Sequence, residues 1–292
     1  MRFVGVLITT AVFLTGCTNV GTLSEGGVEM AQVPITESPS GETYPGKFVW
    51  HDLMTPDPRS AGEFYEKLFG WQVEYHDKYA VVRNDGKLIA GILQVEPAEG
   101  QPREGVWLSS VSVADVDAAA RLVKANGGMV LRGPLDMEQR GRAVLISDPQ
   151  RADLVLLNAK GGDPADAEAA IGDWLWDEIW TDDPDTIEEF YKSVLGYDEV
   201  ELGDGYDVFI RQGKWRAGIR TVQNPKQNML WVPVVRVADP EATVQRVNEL
   251  GGIVWIAPDE APSNGDTALI ADTTGALLLV QRWPPQTPIG EQ

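Results

Sequence analysis

FVWHDLMTPDPRSAGEFYEKLFGW, residues Phe48–Trp71, returns 126 residues later as WLWDEIWTDDPDTIEEFYKSVLGY, residues Trp174–Tyr197. Each copy opens on a β-prone apolar run, Phe48–Met54 in the first, which reads as a strand. An Asp-Pro pair follows, with aspartate placed to cap a helix and proline at its first position. Ala61, Phe64, Tyr65, Leu68 and Phe69 then fall at i, i+3, i+4, i+7 and i+8, one apolar helical face. Ile187, Phe190, Tyr191, Val194 and Leu195 repeat the face, and Gly70 and Gly196 stop the two helices. Short strands follow, and Tyr79…Ala90-Gly91-Ile92 is answered by Tyr206…Ala217-Gly218-Ile219.

The pattern then restarts inside each copy. WLSSVSVADVDAA from Trp107 is answered by WVPVVRVADPEAT from Trp231. A strand leads to Asp115 and a helix stopped by Gly127-Gly128, or to Asp239 and a helix stopped by Gly251-Gly252. Three more strands close each copy. The expected fold class is α+β: four β-α-β-β-β modules forming two tandem domains, residues 44–160 and 173–283. Residues 161–172, small and acidic, read as a linker, and 284–292 as a frayed tail.

Residues 1–16 read as a signal peptide. Arg2 precedes an uncharged apolar run, Phe3–Leu14, that is too short to span a bilayer. Leu14-Thr15-Gly16-Cys17 resembles the bacterial lipobox, which implies a lipid on Cys17, the one cysteine of the chain. Residues 17–43, rich in Gly, Ser, Thr, Pro and Glu, read as a flexible tether. The expected place is the cell envelope, lipid-anchored and facing away from the cytoplasm. Thr18 after the cysteine resembles the outer-membrane address of a Gram-negative cell, which implies its periplasmic face. The formal net charge of −20 argues against nucleic acid as a partner.

The phrases LMTPDPRSAGEFYEKLFGW and VSVADVDAAARLVKANGG resemble the vicinal oxygen chelate superfamily, which includes glyoxalase I, extradiol dioxygenases and bleomycin-resistance proteins. The resemblance covers both repeats. It implies that two modules pair and that their mixed strands curl into a cupped sheet around a cavity, with the repeats pairing within the chain. It also implies where a divalent cation would be held. The matching positions are Trp50 and Trp176 on the first strand, about Leu108 and Val232 on the fifth, and Val155 and Leu279 on the last. None offers a usable donor. His51 is one residue off the ligand position and points to the opposite face of its strand, and His76 sits at a strand end. No metal site and no other cofactor is therefore expected.

By the family geometry, Trp50 and Asp52 face one cavity, and Trp176 and Glu178 the other. With Trp107 and Trp231 they make the candidate ligand-binding set: aromatic walls and one carboxylate per cavity, suited to a small, partly apolar ligand. The leading expectation is a tethered, metal-free binder acting by sequestration or sensing. One alternative is a metal-dependent lyase, isomerase or dioxygenase with displaced ligands such as His51 and Asp52. Another is a structural or interaction module with filled cavities.

Overall fold

The computed structural model describes residues 33–77, 79–96, 104–203, 205–222, 229–261 and 265–284. The signal peptide, Cys17, most of the tether and residues 285–292 lie outside them. The first repeat runs β1 (Phe48–Thr55), α1 (Pro58–Phe69), β2 (Gln72–His76), β3 (Tyr79–Asn84), β4 (Lys87–Gln94), β5 (Val106–Ser112), α2 (Val116–Ala125), β6 (Met129–Met137), β7 (Gly141–Ser147) and β8 (Asp153–Ala159). The second runs β9 (Trp174–Thr181), α3 (Pro184–Leu195), β10 (Asp198–Glu201), β11 (Tyr206–Arg211), β12 (Lys214–Thr221), β13 (Leu230–Val237), α4 (Pro240–Glu249), β14 (Ile253–Ile256), β15 (Thr267–Ala271) and β16 (Leu277–Arg282).

Local signals form the helices as the sequence predicts. Asp57 accepts from the Ser60 N–H, and Gly70, at φ 77°, donates back to the Glu66 carbonyl. Asp183, Thr186 and Gly196 repeat the arrangement in α3. Left-handed φ at both stops explains why both copies use glycine there.

Each repeat builds one eight-stranded sheet, in order β2-β3-β4-β1-β5-β8-β7-β6 and β10-β11-β12-β9-β13-β16-β15-β14. Within each sheet the two modules join where β1 runs antiparallel to β5 and β9 antiparallel to β13. There are thus two cups, one per repeat, and neither shares strands with the other.

The repeats pack back to back, with the helices between the sheets. One core cluster joins Phe64, Tyr65 and Leu68 of α1 to Val244 and Val247 of α4 and to Val235 and Val280 of the second sheet. The other joins Val116 and Val123 of α2 to Ile187, Phe190 and Tyr191 of α3. Burial of one side chain of this size contributes about 1.5–3 kcal/mol, so this shared layer dominates the stability.

Two of the expected binding tryptophans belong to this layer. Trp107 donates its indole N–H to the Tyr65 hydroxyl at 3.0 Å, and Trp231 donates to Tyr191 at 2.8 Å. The Tyr191 hydroxyl in turn donates to Asp148 of the other repeat at 3.1 Å. Trp107 and Trp231 thus face the helices, not the cups. The reason is the two-residue period of a strand: Leu108 and Val232 take the cup side, so their neighbours cannot.

His51 and Asp177 occupy matching positions in the two repeats, and they touch each other. His51 Nε2 lies 2.8 Å from Asp177 Oδ1, with both side chains almost fully buried. Ser109 donates to the other carboxylate oxygen, and Trp174 lies over the imidazole with ring centroids 4.1 Å apart. Serine and histidine both bind the aspartate, so this is not a nucleophile–base–acid relay. It is a polar lock where the two convex faces meet.

The segments read as tether and linker are pinned where they are described. Ile35 is 3% exposed in the cluster of Trp50, Leu157 and Ala159, and Val33 packs against the cluster of Met54, Tyr79 and Leu108; both sit within the first cup. Arg83 forks onto Glu37 at 2.7 and 2.9 Å, and Ser40 and Gly41 hydrogen-bond to Asp163 and Gly161. In the linker, buried Asp163 accepts from the Ser112 hydroxyl and the Tyr44 N–H, and Asp166 binds Arg216 and Lys214. The composition of residues 33–43 suggested a loose chain. Two apolar residues at i and i+2, the Arg83–Glu37 pair and the backbone bonds to Asp163 and Gly161 together seat it.

Candidate ligand-binding cups

The first cup is lined from β1 by Trp50, Asp52 and Met54. Their cross-strand partners place Leu108, Ser110, Gly91 and Leu93 on the same face. Trp50 donates its indole N–H to Asp52 Oδ1 at 2.9 Å. Arg140, in the turn between β6 and β7, donates to Asp52 Oδ2 at 2.6 Å and to the Tyr79 hydroxyl at 3.2 Å. Its guanidinium also lies 5.0 Å from the Trp50 ring centre, a cation–π contact. Burial pushes the Tyr79 phenol up, and the Asp52 charge pushes it further. Burial works against the Arg140 charge, but Asp52 and Tyr79 more than offset it and its pKa is raised. The cluster is therefore closed: the carboxylate already holds a cation. Val33 and Ile35 fill the space beside it, and the Val33 carbonyl accepts from Arg140 Nε at 3.2 Å.

Ile35→Asp is expected to expel this strap, because it would set a second carboxylate among Trp50, Leu157 and Ala159. Limited proteolysis should then cut between residues 33 and 43 much faster than in the parent. Equal cutting rates would show that Ile35 does not hold the segment.

The second cup uses the same parts from different places. Glu178 takes the Asp52 role, and Arg220 binds it through two contacts of 2.9 and 3.1 Å. Arg220 comes from β12, where the first repeat has Leu93. Its guanidinium lies 4.8 Å from the Tyr206 ring centre. Burial pushes the Tyr206 phenol well above its ordinary range, helped by the Glu178 charge. Trp180 also donates to Glu178, at 3.3 Å. The shared Ala-Gly-Ile triplet now has a reason: a Cβ at Gly91 or Gly218 would lie 2.1 or 2.3 Å from the tyrosine hydroxyl above it. Only glycine lets tyrosine and carboxylate lie over the strand.

The cups differ in what covers them. In the second cup, Trp215, Val222, Leu230, Ile256, Leu277 and Trp283 are only partly buried around the Trp176–Trp180 wall. Trp176, Trp215 and Trp283 form an aromatic cluster with centroid separations of 4.8–6.1 Å.

The positions implied for a metal are apolar in both cups. Trp50, Leu108 and Val155 line the first, Trp176, Val232 and Leu279 the second. Among the described residues no three His, Cys, Asp or Glu side chains gather closely enough to hold an ion. The residues present do not fit a divalent cation at the family's positions.

Of the six expected binding residues, the structure hydrogen-bonds Trp50 to Asp52 and sets Trp176 two residues from Glu178 on one face of β9, where Glu178 binds Trp180 and Arg220 instead. Arg140, Arg220, Tyr79 and Tyr206 were missed. The one sequence signal for them was the tyrosine-plus-glycine pattern common to both repeats.

A paired-module fold with two cups of this kind defines a tandem glyoxalase-type protein, and comparison with known proteins agrees. Residues 47–156 match the family model of the Glyoxalase/Bleomycin resistance protein/Dioxygenase superfamily, and residues 176–280 match the Glyoxalase-like domain. The chain belongs to this superfamily. It is 30% identical to "Putative glyoxylase CFP32" of Mycobacterium bovis, over 81% of this chain and 95% of the relative. It is 28% identical to "Anthracycline biosynthesis protein DauV" of a Streptomyces species, over 80% of this chain and 91% of that one. Among solved structures, the Mn(II)-bound glyoxalase of Novosphingobium aromaticivorans superposes with a TM-score of 0.60 at 14% identity, covering 82% of this chain and 83% of that one. At that identity the likeness shows the fold alone.

Proposed function

We propose that the protein is a metal-free binder of a small, flat, partly apolar molecule, which it holds in the second cup. The observation that carries this reading is the rim of partly buried side chains, Trp215 and Trp283 among them, around the buried Trp176–Trp180 wall of that cup, with its carboxylate already neutralised by Arg220. Aromatic walls with few polar groups are the usual lining of a small-molecule site. The first cup is filled by the chain's own residues 33–35, so it is not the ligand site. The relative named for anthracycline biosynthesis makes flat polycyclic compounds the first class to try. A lipid on Cys17 would hold the protein at a membrane, where the role is sequestration or sensing.

Titration of the soluble protein lacking residues 1–17 with planar aromatic compounds should quench tryptophan fluorescence with one site per chain. Trp215→Ala and Trp283→Ala should each weaken binding about tenfold, the effect of losing roughly 1.4 kcal/mol of ring contact. Elemental analysis should find well below one equivalent of divalent metal. Stoichiometric manganese, iron or zinc in freshly purified protein would overturn the metal-free reading. Cys17→Ser in the full chain should move the protein out of the membrane fraction; unchanged fractionation would remove the anchor.

A further inference from the structure

The arginines of the two cups are satisfied differently. In the second cup, Arg220 places Nε and Nη2 on Glu178. In the first, Arg140 binds Asp52 through Nη1 and Tyr79 through Nη2, and its Nε donates to the Val33 carbonyl at 3.2 Å. Arg140 is 4% exposed. An N–H of a buried guanidinium needs an acceptor, and here the acceptor is the chain's own strap.

The strap meets the cup as a ligand would. Val33 packs against Met54, Tyr79 and Leu108, and Ile35 lies with Trp50, Leu157 and Ala159. Val155 borders both seats, and the Arg140 guanidinium lies 5.0 Å from the Trp50 ring centre, so the two seats and the donor form one surface. At the rim, Glu37 binds Arg83. Pro34, between the two apolar residues, has no N–H to satisfy.

The second cup has no counterpart of the strap. No residue of 161–172, the segment that precedes its first strand, belongs to the cluster that lines it. A cup of this fold is therefore complete without a plug. The hold on the strap is also light. Among the described residues, one buried side chain, one partly buried side chain, one hydrogen bond and an ion pair whose glutamate is 59% exposed fasten residues 33–37, and none of the five is in a strand. Segments held by so few buried contacts open before the rest of a fold. Residues 40–42 are fastened separately, by backbone bonds to Gly161 and Asp163, so the strap has a hinge at Ser38-Pro39.

We propose that residues 33–37 are an autoinhibitory plug and that the first cup beneath them is a second, latent binding site. Its ligand is a neutral carbonyl compound with two branched aliphatic groups flanking the carbonyl, the chemistry shared by an extended apolar peptide and a smaller branched amide. The site is closed while the strap is seated, and a ligand enters by displacing it. The proposal does not depend on what the second cup binds.

Calorimetric titration of the soluble protein lacking residues 1–17, and of its Ile35→Asp variant, is the experiment. Three probes are used: acetyl-Val-Pro-Ile-Thr-Glu-amide, which copies the strap; acetyl-Val-Pro-Ile-amide, which omits the rim acid; and acetyl-Val-Pro-Asp-Thr-Glu-amide, which brings a charge to the isoleucine seat. The first should bind the variant at one site per chain and at least tenfold tighter than it binds the parent, because a seated plug lowers apparent affinity by the fraction of open cups. The charged peptide should bind the variant at least tenfold more weakly than the first. A short amide that binds as well as the longer peptide marks a small amide as the ligand, and a weaker one marks a longer chain whose acid reaches Arg83; either supports the site. Ile35→Ala, which empties the seat without adding a charge, should give the same order with a smaller gain. Equal affinity for parent and variants places the peptide elsewhere and overturns the proposal. So does the absence of binding to both variants, or equal binding of the neutral and charged peptides. Retention of the parent's thermal transition and of tryptophan quenching by planar aromatic compounds shows that the fold and the second cup are intact in each variant.

Discussion

Asp177→Ala is expected to destabilise the protein by about 3–5 kcal/mol, the usual cost of removing one partner from a buried charged or strongly polar pair. For a chain of this size that lowers the melting temperature by roughly 10 °C. The side chain accepts from both His51 and Ser109, all three almost fully buried. Alanine would leave His51 Nε2 and the Ser109 hydroxyl unpaired in an apolar layer, and His51 Nδ1 already lacks a partner. The double variant His51→Leu/Asp177→Leu should recover most of the loss, because replacing both partners with apolar groups avoids the orphaned atoms. Urea unfolding of parent, single and double variants measures this directly. A single-variant cost below about 1 kcal/mol would mean that the pair does not lock the repeats.

The same pair explains why the duplicated sequence diverged at this point. A residue near the pseudo-twofold axis between two like domains faces its own counterpart. Two copies of either repeat alone would bring histidine onto histidine or aspartate onto aspartate, and like groups buried together are unfavourable. His51 in one repeat and Asp177 in the other make the intrachain pairing the satisfied one. The sequence alone does not reveal this pairing, because alignment shows that the two positions are equivalent but not that equivalent positions touch.

Other features were legible to the extent that they are local. Helix caps, glycine stops and apolar faces depend on neighbours within a few residues, and every one of the four modules carries them. The cup-facing side of β1 and β9 followed from strand period. The same period assigns Trp107 and Trp231 to the helix side, once Leu108 and Val232 are placed at the cup. The arginines were not legible. Any strand or turn that reaches the cup can supply the countercharge, and the repeats chose different ones: Arg140 from a turn, Arg220 from β12. The strap was hidden by composition, since Val33 and Ile35 are too short a run to signal a strand. Its seat exists only after the sheet has curled.

Stability should fall as pH rises from about 4 to about 7, and Asp148→Asn should abolish much of that slope. Asp148 sits in the β7–β8 turn and accepts from the Gln150 and Ala152 N–H groups and from the Tyr191 hydroxyl of the other repeat. Burial outweighs those bonds and pushes its carboxyl up to about 6. In the unfolded chain an aspartate titrates near 3.9. Between these values the folded state binds the extra proton, so the stabilisation is complete below about 4 and is lost as pH passes through about 6. The gap between about 4 and about 6 corresponds to at most ~3 kcal/mol. Asp272, the matching turn residue, is raised in the same direction by burial, so the variant should flatten the slope without removing it. Asp166 acts oppositely: burial works against its charge, but Arg216 and Lys214 bring its carboxyl down to about 2, so its contribution is lost only in stronger acid. Glu188, which burial and then Glu199 push up to about 7, titrates in the same window, so the difference between parent and Asp148→Asn, in which Glu188 is common, isolates Asp148. Urea unfolding of the parent and Asp148→Asn at several pH values in that window should give stability curves of different slope, the parent's falling more steeply as pH rises. Parallel curves would mean that Asp148 titrates no differently in the folded and unfolded chain, and that the Trp231–Tyr191–Asp148 relay holds the two repeats together without storing a proton.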